Sequence, residues 1–183
     1  MTTYKIDPAH SEITFKVKHL MITNVTGSFT QFDATMESDA DDFTDAKIRF
    51  EADVNSITTH NEQRDAHLKG DDFFAVDRFP KLSFVSTSFV KKDEENYTLT
   101  GDLTIRDVTK PVELDVEYGG SMTDPWGQSK AGFEISGRIN RKDFGLSWGA
   151  VTEAGGVVVS DDVRLRLAVQ MIKQEVAELA HAE

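Results

Sequence analysis

Apolar and polar residues alternate along most of the chain with a period of two, the signature of strands with one buried and one solvated face. Ile13, Phe15 and Val17 alternate with Glu12, Thr14, Lys16 and Lys18, and Ala46, Ile48, Phe50, Ala52 and Val54 with Lys47, Arg49, Glu51 and Asp53. The same rhythm runs through Tyr97–Ile105, Val112–Tyr118, Phe133–Ile139 and Val163–Val169. Two segments are less regular. Gly27–Met36 changes phase between Phe29 and Phe32, which predicts a bulge near Gln31. Leu82–Val90 carries apolar residues on both faces, with Phe84 on one and Val85 and Phe89 on the other. About eight strands follow, antiparallel in style with polar outer faces, and hence an all-β fold.

One helical insertion, at about residues 60–76, interrupts the strands. Thr59 and Glu62 have capping-box spacing, and the helix runs through Arg64-Asp65-Ala66-His67-Leu68-Lys69 to Gly70. Asp71–Ala75 reads as a second short turn, stopped before Pro80. Good helix formers over Lys173–Ala182 predict a short C-terminal helix. The chain thus divides into a domain over 1–172 and a tail over 173–183. Small residues on the inward phase (Ala34, Ala52, Ser86, Ser88, Gly101, Ala131, Gly137) allow two architectures. They fit a filled sandwich core by interdigitation, or leave a tube of space inside a barrel of about eight strands. Alternation alone leaves both open.

Composition narrows the chemistry. Asp and Glu number 32 against 20 Lys and Arg, a net charge of −12, which disfavours nucleic acid as a partner. There is no cysteine, so disulfides, thiol nucleophiles and Cys-ligated zinc are excluded. Twelve Phe against two Trp and three Tyr favour a dry interior, since Phe has no polar handle. Apolar runs such as Val157–Val159 are far too short to span a bilayer, so no integral membrane association is expected. The N-terminus, Met1-Thr2-Thr3-Tyr4-Lys5-Ile6-Asp7, lacks a basic segment followed by an apolar one. The expected location is cytoplasmic, or periplasmic if a leader has been removed.

Several stretches, taken together, resemble the YceI-like family of lipid-binding proteins. They are Ile6-Asp7-Pro8-Ala9-His10-Ser11-Glu12 through Met21, Val25–Phe29, and Asn61–Leu68 through Asp72-Phe73-Phe74 to Phe79-Pro80. Gly101–Val112 and Asn140-Arg141-Lys142-Asp143-Phe144-Gly145 complete the set. The resemblance runs from about Ile6 to Ile172 and implies an antiparallel lipocalin-like β-barrel. It also implies a tunnel for an isoprenoid chain, such as a polyprenyl diphosphate or an isoprenoid quinone, and a homodimer. The protein would carry or sequester its lipid without catalysis, with no cofactor beyond that ligand.

On that reading the tunnel is lined by Phe15, Val17, His19, Phe29, Phe32, Phe50, Phe84, Leu103, Ile105, Phe133 and Ile135. Phe73 and Phe74 close its mouth as a lid, Phe144 plugs one barrel end, and Leu146-Ser147-Trp148 continues the apolar patch. Headgroup candidates are His19, Arg64, His67 and Arg141. Each has a plainer reading. The apolar side chains simply pack together, Arg64 and Asp65 fasten the helix to the barrel, His19 is a satisfied core histidine, and Arg141 pairs with Asp143. The histidine spacings match no metal site, so no metal is expected. Gly155-Gly156 opens no helix and so makes no phosphate cradle. No Gly-x-Ser-x-Gly elbow occurs, and no Ser, His and Asp fall in a recognisable triad order. Two rivals remain: an isoprenoid-modifying enzyme, which would need a metal or an acid–base pair at the mouth, and a structural or interaction module with a filled core.

Overall fold

The computed structural model describes residues 1–149 and 159–175. Eleven strands form one antiparallel sheet: β1 (Thr2–Ile6), β2 (Glu12–His19), β3 (Thr23–Phe29), β4 (Phe32–Ser38), β5 (Lys47–Asp53), β6 (Ile57–Thr58), β7 (Lys81–Lys91), β8 (Asn96–Ile105), β9 (Val108–Thr123), β10 (Ser129–Asn140) and β11 (Val159–Lys173). Among the described residues there is one α-helix, α1, spanning Glu62–Lys69. Several strands are segments of longer, bent ones. β1 and β2 both pair with β11, in register Ile6↔Met171 and Phe15↔Leu165. β4 pairs with β1 and β3 with β2, so residues 2–38 make one long bent hairpin. Counted that way the sheet has eight strands, each paired with its sequence neighbour, and the last closes on the first. It is a closed antiparallel β-barrel of lipocalin-like form.

The bends have local causes. Pro8 fixes φ at the start of a 3-10 turn, and the Asp7 carboxylate caps that turn by accepting from the Ala9 N–H at 3.1 Å. The phase change expected near Gln31 is the break between β3 and β4. Ser56 Oγ stitches it by accepting from the Thr30 and Gln31 amides. In β7 a bulge between Ser86 and Ser88 turns the strand over. Phe84 and Phe89 therefore both face inward and Val85 faces solvent, which corrects the two-faced reading of Leu82–Val90. Ser88 is exposed for the same reason. Glycine allows two inward Phe rings to lie across neighbouring strands. A Cβ at Gly27 would overlap the Phe15 ring, and one at Gly101 the Phe84 ring.

The helix starts differently from the capping-box expectation. Asn61 is the N-cap and accepts from the Arg64 amide at 3.0 Å, while Thr59 is bound by Arg64 and Asp65 instead. Gly70 ends the helix. No helix among the described residues is long and apolar enough to cross a membrane. Of the expected tail helix, Lys173 is the last residue of β11, and residues 176–182 lie outside the described residues, as do Gly155-Gly156.

Candidate functional site

The strand directions give the barrel two ends. At one lie the β2–β3 turn, α1 and residues 141–149; at the other lie the β7–β8 and β9–β10 turns and the loop from Asp39 to Ala46. Between them is a cavity of about 610 Å³. Its wall is the inward phase of the strands, and eight of the twelve Phe side chains line it. Polar lining side chains gather toward one end: Lys18, His19, Asn61, Gln63, Arg64, His67 and Arg141. No Asp or Glu lines it among the described residues, although the chain carries 32 of them. The result is an apolar tube with a polar, basic mouth.

The floor is sealed by side chains that satisfy one another. Phe43, from the Asp39–Ala46 loop, inserts its ring between Tyr4, Tyr118 and Phe133 at centroid distances of 5.7, 5.5 and 5.5 Å. The loop is held by Asp45, which accepts from Ser38 Oγ at 2.5 Å and the Asp39 amide at 2.9 Å. It is also held by the Tyr97 hydroxyl, which donates to the Asp42 carbonyl at 2.6 Å. Hydrogen bonding, chiefly from Ser38, keeps the Asp45 carboxyl below the usual carboxylate range.

The mouth is built on α1 and the turns that follow it. Phe74 meets Phe29 edge-on at 6.2 Å, which ties the segment to the cavity wall. The His67 ring lies edge-on to Phe73 at 5.1 Å and to Trp148 at 4.9 Å, and its Nε2 is 3.0 Å from Asp72 Oδ2. Arg64 donates from Nε to Thr59 Oγ1 at 2.7 Å and from Nη2 to the Thr59 carbonyl at 2.8 Å. Asp65 accepts from both the amide and hydroxyl of the same Thr59. An Arg–Thr–Asp clasp thus fastens the helix, and Arg64 Nη1 stays outside it.

Arg141 is almost fully buried, and its donors are spent on backbone. Nη1 donates to the Leu146 and Trp148 carbonyls, each at 2.6 Å, and Nε to the Ser160 carbonyl at 3.0 Å. Its carboxylate neighbour is Asp161, at 3.7 Å, where pairing with Asp143 was expected. Burial lowers its pKa and Asp161 works against that shift. Its geometry is that of a clamp holding residues 145–148 against the start of β11.

Of the expected tunnel residues, the cavity brings together Phe15, Val17, His19, Phe29, Phe50, Phe73, Phe74, Phe84, Leu103, Ile105, Phe133, Ile135 and Trp148. Two stand outside the lining. Phe32 shares the inward phase of β4 with Ala34 and Met36, but as the first residue of the strand it stacks on Phe50 at 6.5 Å and packs against the core outside the cavity lining. Phe144 is buried in the 3-10 turn Arg141–Phe144, which Gly145 ends with φ +78°. The reading from sequence missed Phe43, the floor plug, whose only signal was a lone aromatic in an acidic stretch. It also missed Phe89 and Leu99 in the lining, as well as Asn61 and Gln63 at the mouth, whereas Leu146, expected in the apolar patch with Trp148, does line the cavity.

A closed antiparallel barrel around an apolar cavity, with polar groups at one end, defines the lipocalin-like class of small-molecule containers. The family model for the YceI-like domain matches residues 4–171, and the chain belongs to that family. A UPF0312 protein of Staphylococcus aureus is 39% identical over 171 residues, which cover 93% of this chain and 97% of that one. Among solved structures, the Campylobacter jejuni YCEI protein is 34% identical with a TM-score of 0.75, over 86% of this chain and 90% of its own. Burkholderia cenocepacia BcnA superposes with a TM-score of 0.79 at 22% identity, over 90% of this chain and 98% of its own. A polyisoprenoid-binding domain from Saccharophagus degradans has a TM-score of 0.68 at 14% identity, over 93% and 98%. The last two likenesses concern the fold.

Proposed function

We propose that the protein binds a long-chain isoprenoid-type lipid, a polyprenyl diphosphate or an isoprenoid quinone, and sequesters or carries it within the barrel. The observation that carries this reading is the cavity itself: about 610 Å³, walled largely by Phe and aliphatic side chains, with its charged and amide side chains toward its mouth. Such a volume suits a drug-sized or larger amphiphile. Each methylene moved from water into that wall contributes about 0.8 kcal/mol before ordering costs. Affinity then accrues with chain length and needs no specific polar contact. The polyisoprenoid-binding neighbour from Saccharophagus degradans supports the ligand class. At the mouth, His19 and the free Nη1 of Arg64 are the groups placed to meet a headgroup, whereas Arg141 and His67 are already engaged.

The test is native mass spectrometry of protein purified from cells, then organic extraction and lipid mass analysis. A stoichiometric adduct whose mass series steps by isoprene units is the expected result. An apo mass that persists after incubation with prenyl alcohols, diphosphates and quinones overturns the reading.

A further inference from the structure

The β2–β3 turn, which stands at the mouth, is built against ordinary turn chemistry. His19 accepts from the Ile22 amide at 3.2 Å, so Leu20 and Met21 are the two central residues, with φ of +53° and +62°. Consecutive left-handed residues mark the hairpin turns that Gly, Asn and Asp normally fill. Here two bulky apolar residues hold those positions, and Ile22 follows them. Their exposures are 41%, 52% and 80%, so three large apolar side chains project together from the tip. Contiguous apolar surface of this kind marks an interaction site.

A second observation names the partner. From Ile13 to Phe32 the chain has no Asp or Glu, yet it carries Lys16, Lys18 and His19, in a protein of net charge −12. Lys16 and Lys18 lie on the exposed phase of β2, just below the tip, where Lys18 also borders the rim of the cavity. That end also carries exposed acidic side chains, among them Glu62, Asp71, Asp72, Asp107 and Asp143, but they lie outside this hairpin, and Asp161, beside β2 on β11, is held by Lys142 at 3.3 Å and Arg141 at 3.7 Å. An apolar tip above a basic collar is complementary to a bilayer with anionic headgroups: the tip enters the acyl boundary and the lysines meet the phosphates. The placement is directional. His19 begins the turn and also lines the cavity, so docking there turns the mouth toward the membrane.

We infer that the Leu20-Met21-Ile22 tip with Lys16 and Lys18 is a docking site for an anionic lipid bilayer. Docking needs only this hairpin; the further step, loading an apolar ligand from the membrane without passage through water, rests on the isoprenoid reading.

The experiment is co-sedimentation of the full chain with phosphatidylcholine vesicles, with and without phosphatidylglycerol. Wild type is expected to bind, more strongly with phosphatidylglycerol. The triple change Leu20→Ser, Met21→Ser, Ile22→Ser should weaken partitioning by about tenfold or more. Ile22→Ser alone, at the most exposed of the three, should show a smaller loss with no change in circular dichroism. Each of Lys16→Ser and Lys18→Ser should cost about fivefold, on phosphatidylglycerol vesicles only. The control is Trp126→Ser, at the 84%-exposed tip of the opposite end. The inference is overturned if wild type ignores both vesicles, if Trp126→Ser removes binding while the hairpin changes do not, or if the hairpin changes only dissociate a dimer. Vesicle binding by lipid-free protein that never takes up an isoprenoid would keep the docking site and remove the ligand reading.

Discussion

The two ends of the barrel are closed by different means, and the difference separates what holds the fold from what admits a ligand. At the floor a loop is driven inward. Phe43 is wedged among three aromatic rings, and the loop that carries it is pinned through Asp45 and the Tyr97 hydroxyl. At the mouth a two-turn helix lies across the opening with no buried residue of its own, fastened by the Arg64–Thr59–Asp65 clasp and by Phe74. Removing the floor plug breaks a packed core. Lifting the helix breaks a few partly exposed hydrogen bonds and ring contacts, the kind of element that opens locally before the whole unfolds.

The largest effect should therefore come from the floor. Phe43→Ala removes a buried ring from a full aromatic cluster, a change that costs about 3–5 kcal/mol. For a domain of this size that lowers Tm by roughly 10 °C, measured by calorimetry. It also opens a second exit, so a bound lipid should dissociate faster from a protein that still folds. A Phe43→Ala protein with unchanged Tm would mean that the plug is not part of the core.

Next in size is the Arg141 clamp. Arg141→Ala leaves the Leu146, Trp148 and Ser160 carbonyls without their donor, three acceptors in a nearly dry place. The expected cost is about 2–3 kcal/mol. Arg141→Lys keeps the charge but not the fork that reaches several carbonyls at once, so it should recover only part of the loss. Equal denaturant midpoints for the Lys variant and wild type would reduce the clamp to a point charge.

Acid should act on the floor. Four carboxyls with lowered pKa sit in its loop and turns: Asp42 through Thr44, Asp45 through Ser38, Asp93 through the Glu95 amide and Asp124 through the Gln128 amide. For each, the folded value lies below the unfolded one. Their contribution is therefore fully present above the ordinary carboxylate range, near pH 4, and is lost as pH falls through the folded values. Asp45→Asn should be less stable than wild type at neutral pH, and its urea midpoint should fall less on acidification. The two curves should converge in acid. Parallel curves down to pH 2 would show that the Asp45 charge does not contribute.

The same contrast shows what the sequence disclosed. The long strands were legible because inside and outside alternate, and each inward position lies where a one-residue slip would expose it. The mouth was legible in part. Phe73, Phe74, Arg64 and His67 could be assigned to it through the family motifs, but not the clasp on Thr59, which depends on how the chain enters the helix. The floor was not legible at all. Phe43 sits in an acidic loop, where no periodicity marks a residue as inward, and its burial exists only because the barrel closes around it. Closure itself is a matter of strand tilt and stagger, so alternation left barrel and sandwich undecided. The β7 bulge was hidden because Ser86, Thr87 and Ser88 have no apolar phase to break. Arg141 gave the wrong partner because its acceptors are backbone carbonyls, which no side-chain pattern records.

The smallest expected effect on stability, and the sharpest test of the comparison, is at the helix. Arg64→Ala removes two partly exposed hydrogen bonds to Thr59 and leaves the Asp65 contacts in place. The cost should be no more than about 1 kcal/mol, a Tm change of a few degrees at most. The local consequence should be larger than the global one. Amide exchange within Glu62–Lys69 should accelerate while the amides of β8 and β9 keep their protection, and release of a bound lipid should quicken severalfold. Hydrogen exchange by mass spectrometry reads both regions in one sample. If Arg64→Ala instead lowers Tm as far as Phe43→Ala does, and the β8 and β9 amides lose protection with those of the helix, the mouth belongs to the same cooperative unit as the floor. A ligand would then have to enter through global fluctuation of the barrel, because no separable door would exist.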